Sequence, residues 1–126
     1  MKAEKATDLN VYRLAMELQQ LVFDLSLSFP PEERFSLTDQ IRRSSRSIGA
    51  NLCEAWAKRR YPAHFVSKLS DADGEQEETG HWFRTAHACG YLDPQTYDEL
   101  SARCHRIGAM LGRMIVQAES WCKNFP

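Results

Sequence analysis

Apolar residues recur along this chain at alternating intervals of three and four, and four segments keep that helical period. In the segment from about 37 to 60, Leu37, Ile41, Ser44, Ile48, Leu52 and Ala55 form one seam. A second stripe on the same predicted helix holds Arg42, Arg46, Gly49, Cys53, Ala57 and Arg60. That stripe is basic at its ends and small in its middle, so the helix is expected to be touched on two sides. The first segment, about 8–28, carries a seam of Val11, Leu14, Leu18, Leu21 and Leu25, with Tyr12, Met16, Phe23 and Leu27 beside it. One neighbour cannot cover so wide an apolar face, which predicts either two neighbours or a second subunit. The third, about 62–89, has the more polar seam Phe65, Leu69, Ala72, Gln76, Thr79, Phe83 and Ala86. The fourth, about 94–121, has the cleanest pattern: Tyr97, Leu100, Cys104, Ile107, Leu111, Met114, Ala118 and Trp121.

Punctuation between the segments fits helix ends. Thr7 is expected to cap the first helix, and Pro30-Pro31 stops it, because proline lacks the amide donor a helix needs. Ser36 is expected to cap the second, which ends in the cations Lys58, Arg59 and Arg60. Tyr61-Pro62 and Asp93-Pro94 open the third and fourth, and Gly90 closes the third. Four helices of similar length on short connections predict an all-α chain, an up-down-up-down antiparallel four-helix bundle forming a single domain over 1–126.

Composition narrows the function. The 126 residues suffice for a core without staples, with 43% hydrophobic and 26% charged residues. A formal net charge of −1 excludes coating nucleic acid by bulk charge, so any such site has to be a local patch. No apolar run approaches a membrane span and the first residues hold no signal-peptide core, which predicts a cytoplasmic protein with no membrane partner. Four scattered cysteines, Cys53, Cys89, Cys104 and Cys122, read as buried thiols in such a compartment.

Chemistry is sparse. Glu78-Thr79-Gly80-His81 has the Glu-x-x-His spacing of di-iron bundles, but no second copy exists to complete such a site. Ser44, Ser45 and Ser47 have no histidine nearby in sequence, and glycine-rich phosphate loops are absent. No catalytic residue, metal or cofactor is expected, and the chain does not read as an enzyme. The constellation that stands out is basic: Arg42, Arg43, Arg46, Arg59 and Arg60 on the second helix, Arg103, Arg106 and Arg113 on the fourth. These are the candidate contacts to RNA or DNA. The competing reading pairs them with the acidic third helix, where antiparallel register sets Arg46 opposite Glu77 and Arg43 near Glu78. Asn51 and Glu54 are expected to hydrogen-bond within or between bundles.

The run from Phe35 to Glu54, with Gln40-Ile41-Arg42-Arg43 and Ile48-Gly49-Ala50-Asn51-Leu52, resembles the signature of the small proteins encoded in intervening sequences of 23S ribosomal RNA genes. Asp8-Leu9-Asn10-Val11-Tyr12, the stretch Ala72 to Glu78 and Cys89-Gly90-Tyr91-Leu92 are similar to the same family. Two features depart from it: Ala55-Trp56 stands where a glycine usually follows the glutamate, and the third helix is unusually acidic. The resemblance implies a ring-shaped homopentamer that binds nucleic acid. It also implies kinship with the accessory protein of diversity-generating retroelements, which holds RNA and a reverse transcriptase on a basic barrel. The function it implies is a non-enzymatic oligomeric scaffold whose partners are RNA, DNA or a nucleic-acid enzyme. The alternative is a protein–protein interaction module whose charges serve only its own assembly.

Overall fold

The computed structural model describes residues 3–123. Four long helices, α1 (Asn10–Ser26), α2 (Leu37–Ala57), α3 (Pro62–Ala88) and α4 (Pro94–Val116), precede a short α5 (Ala118–Cys122). Each long helix packs against its chain neighbours and α4 returns to α1, with α2–α3 the most extensive pairing. The fold is the expected four-helix bundle, without strands among the described residues.

The helix ends differ in detail from the sequence reading. Thr7 lies inside a 3-10 turn, Ala6–Asp8, and Leu9 occupies the cap position of α1. The Asp8 carboxylate accepts from the Glu4 and Lys5 amides at 3.0 Å each, which lowers its pKa and closes the turn before the helix. Ser36 stands at the cap of α2, but its hydroxyl donates to the Glu33 carboxylate at 2.7 Å instead of accepting from its own helix. Asp93 does cap α4, accepting from the Thr96 amide at 2.7 Å. Helix α2 stops at Ala57, short of its terminal cations, and α4 breaks at Gln117 so that α5 turns onto α3. At Gly90, φ is +80°, and the Gly90 and Tyr91 amides return to the His87 and Ala86 carbonyls. Glycine adopts this left-handed closure at little cost, whereas a residue with a Cβ would be strained there.

The buried line of α3 is the seam read from the sequence: Phe65, Leu69, Ala72, Gln76, Thr79, Phe83 and Ala86. Helix α2 buries its seam too, together with Thr38, Ser45, Gly49 and Trp56. Helix α1 is rotated from expectation. Its deepest line is Val11, Ala15, Leu18, Val22 and Ser26, while Leu14, Leu21 and Leu25 are half-buried on one flank. Small and β-branched side chains let α1 sit close to the core, and the leucines spread sideways. The small strip on α2 is also not open along its length. Gly49 is buried, and a Cβ there would meet the Tyr12 ring of α1 at 3.6 Å. Of the cysteines, only Cys104 is buried, where desolvation pushes its thiol up to about 12; Cys53 and Cys89 are exposed and Cys122 is half-buried.

Candidate nucleic-acid interface

One turn apart on α2, Arg42 and Arg46 flank the Phe23 ring of α1, with guanidinium carbons 4.9 Å and 5.8 Å from its centroid. Arg42 Nε also donates to Ser26 Oγ at 2.8 Å, fixing the arm of that guanidinium. A cation over an aromatic face gains from the ring quadrupole while its charge stays outward. These two arginines join Arg43 and Arg34 around an open groove of about 620 Å³, whose other walls include Phe35, Thr38, Asp39, Ser47 and Ala50. Asp39 is the one acidic residue among the lining residues, and of the four arginines Arg43 also pairs with carboxylates of α3. Arg34 and Phe35 were not among the residues singled out from sequence. The available signal was a cation beside an aromatic in a proline-bounded turn, where nothing required the ring for a seam.

Arg43 also turns toward α3. It pairs with Glu75 at 3.3 Å and with Glu78, and the Glu78 hydrogen bond raises its pKa above the usual arginine value. Trp82 Nε1 donates to the same Glu78 carboxylate at 3.1 Å. The expected approach of Arg43 to Glu78 is therefore present. The expected Arg46–Glu77 approach is not: Glu77 lies on the α4 side of α3, accepting from Gln76 Nε2 at 3.0 Å. One residue along a helix is a rotation of about 100°, enough to move Glu77 to the opposite flank from Glu78.

The other candidate arginines lie elsewhere. Arg59 stacks 3.7 Å over Trp56 and donates from Nε to the Trp56 carbonyl at 2.9 Å, and burial lowers its pKa. Arg60 is exposed in the turn after α2. Arg103 reaches Glu17 at 3.5 Å and Glu99 at 3.7 Å, with a buried Nε that has no hydrogen-bond partner among the described residues. Arg106 borders the same α1–α4 cleft, and Arg113 is exposed further along α4. The structure spreads the candidate cations over the α2 groove, the end of α2, the α1–α4 cleft and the later part of α4. The groove gathers the most of them, Arg42, Arg43 and Arg46.

Asn51 donates to the Ser47 carbonyl at 2.9 Å, and Glu54 pairs with Lys68 at 3.0 Å, raising the lysine pKa. Of the Glu-x-x-His motif, Glu78 is held by Arg43 and Trp82, while exposed His81 packs its ring against Trp82 with centroids 4.8 Å apart. Among the described residues, no group of three or more His, Cys, Asp or Glu side chains could hold a metal ion. No helix among them is long and apolar enough to cross a membrane.

No curated protein matches the chain. A crystal structure from Bacteroides thetaiotaomicron VPI-5482, described as a protein of unknown function from the S23 ribosomal protein family, is similar with a TM-score of 0.76 and 28% identity. The similarity covers 84% of this chain and 95% of that one. The family model for the 23S rRNA-intervening sequence protein matches residues 7–113, and on that match the chain belongs to the 23S rRNA-intervening sequence protein family.

Proposed function

We propose that this protein is a non-enzymatic, self-associating cytoplasmic scaffold that holds the phosphate backbone of RNA or DNA in the α2 groove. The carrying observation is the convergence of Arg34, Arg42 and Arg46 on one groove with Asp39 as its single acidic wall residue, Arg43 bordering it while paired to Glu75 and Glu78. A local patch of this kind attracts phosphates even when the chain as a whole is slightly acidic. Self-association is supported by the half-buried leucines on the α4 flank of α1 and by exposed Met16 and Leu27. A closed ring, the pentamer implied by the family resemblance, would repeat the groove once per subunit.

The test is a mobility shift against salt, with light scattering on the same sample. The logarithm of affinity should fall with the logarithm of salt by about one unit per phosphate neutralised. Arg34→Gln with Arg46→Gln should flatten that slope more than Arg103→Gln, Arg106→Gln and Arg113→Gln together, because Arg103 already faces two carboxylates. Absence of binding to RNA and DNA at low salt would sink the nucleic-acid reading. The second reading, a protein-interaction module, is favoured by the arginines that serve the bundle itself, Arg43 on Glu75 and Glu78 and Arg103 on Glu17 and Glu99.

A further inference from the structure

Phe35 leaves 84% of its surface to solvent, in the turn that follows Glu33 and leads into α2. Hydrophobic burial favours covering a phenyl ring, and Phe29, Phe65 and Phe83 are covered, Phe29 against Tyr91 and the last two fully buried. Tyr61, the other large exposed aromatic among the described residues, lies at the opposite end of α2. Other exposed large apolar side chains, Leu27 and Val116 among them, do not line the arginine groove; Phe35 does. The Arg34 guanidinium stands 5.2 Å from the Phe35 centroid, and Arg42 and Arg46 follow along the helix. An aromatic face at the mouth of a cationic groove is the combination that holds unpaired nucleotides: a base stacks on the ring while its phosphates meet the cations. A duplex cannot use the ring, because its bases are already stacked inside.

We infer that the α2 groove takes single-stranded nucleic acid, one base stacking on Phe35 and the neighbouring phosphates lying along Arg42 and Arg46. Arg34 backs the ring, giving a guanidinium–phenyl–base stack. From Thr38 to Ala50 the groove follows about 18 Å of helix at 1.5 Å per residue, enough for a few nucleotides. Phosphate contacts and a π-face carry little sequence information, so recognition should tolerate different bases. This inference rests on the nucleic-acid reading above and adds the class of strand.

The experiment is fluorescence anisotropy of the full chain with a labelled oligouridylate, a labelled oligothymidylate and a duplex of equal length, all at low salt. Either single strand should bind about tenfold tighter than the duplex, and the two arms show whether the 2′-hydroxyl matters. Phe35→Ala should weaken single-strand binding about tenfold with circular dichroism unchanged, since the ring is not part of the core. Phe35→Trp should restore binding, and the oligonucleotide should quench the new indole. Equal affinity for single strand and duplex, with Phe35→Ala silent, would overturn the inference while leaving a phosphate site in place. Failure to bind any of the three would remove the nucleic-acid reading itself. Displacement of the oligonucleotide by polyglutamate of matched charge, equally in wild type and Phe35→Ala, would assign the groove to an acidic polypeptide.

Discussion

The α2–α3 and α1–α4 faces of the bundle are closed by different means. Between α2 and α3, the Ser44 and Thr79 hydroxyls share a buried hydrogen bond of 2.9 Å, and Arg43 and Lys68 tie the rim to Glu75, Glu78 and Glu54. Between α1 and α4, Leu14, Leu21, Leu25 and Met110 are only half-buried, and Arg103 crosses to Glu17 with its Nε left without a hydrogen-bond partner among the described residues. Buried polar groups are satisfied on the first face and incompletely on the second, and the second also leaves apolar surface open. One face is finished within a single chain. The other is the half that the proposed self-association would use.

Truncations should sharpen this contrast most. Phe83→Ala, in the fully buried α3 seam, should cost about 3–5 kcal/mol, and Leu111→Ala in α4 about 2–5 kcal/mol, by urea unfolding. Thr79→Val removes the shorter bond of the buried Ser44 hydroxyl, leaving it only the Ile41 carbonyl at 3.4 Å, and should cost about 1–3 kcal/mol. Adding Ser44→Ala should recover part of that loss, and a single-mutant cost below about 0.5 kcal/mol would deny the pair any structural weight. Leu21→Ala, on the open face, should cost about 1 kcal/mol in the fold and should shift light scattering toward smaller species. An unchanged assembly would break the link between the open face and self-association.

The smallest effect concerns a contact belonging to neither face. Tyr91 donates to the Glu33 carboxylate at 2.9 Å, joining the α3–α4 turn to the α1–α2 turn. That bond raises the tyrosine from its ordinary 10.0 to about 12, and hydrogen bonds from Ser36 first and Tyr91 second lower Glu33. The tyrosine contribution is therefore present below pH 10 and lost between 10 and about 12. The Glu33 contribution is present above its ordinary 4.5 and lost as pH falls through its depressed value. Tyr91→Phe should flatten the alkaline decline of the urea midpoint; an identical decline in both proteins would place its cause elsewhere.

How much of this was legible before the structure depended on how many directions a helix face had to serve. The α3 seam was readable because its outer positions are acidic and leave one apolar line. The α1 seam was not, since leucines on a flank carry the same hydrophobic signal as those on the deep line. Ala15, Val22 and Ser26 won that line through close approach, which period alone does not report. Arg43 and Glu78 were found by antiparallel register, whereas Arg46 went to Phe23, a contact set by the rotation of α1. The arginines of the site were visible as residues. Their convergence with Arg34 and Phe35 was not, because the turn before α2 carries no period. Ala55-Trp56, the departure from the family pattern, has a structural account: Ala55 is fully buried, and Trp56 covers the end of the bundle beneath Arg59 and beside Trp121.

That tryptophan gives the molecule two unlike poles. Its indole Nε1 donates to the Glu4 carbonyl at 3.3 Å, and its ring meets Trp121 edge-on at 5.9 Å, so both described ends of the chain gather over it. Phe35 lies at the far end of α2, about 30 Å away at 1.5 Å per residue. A label on an exposed described residue of this pole, such as Lys123, keeps clear of the groove's mouth. Immobilising the protein through that pole therefore presents Phe35 outward, a geometry that suits surface-based binding measurements.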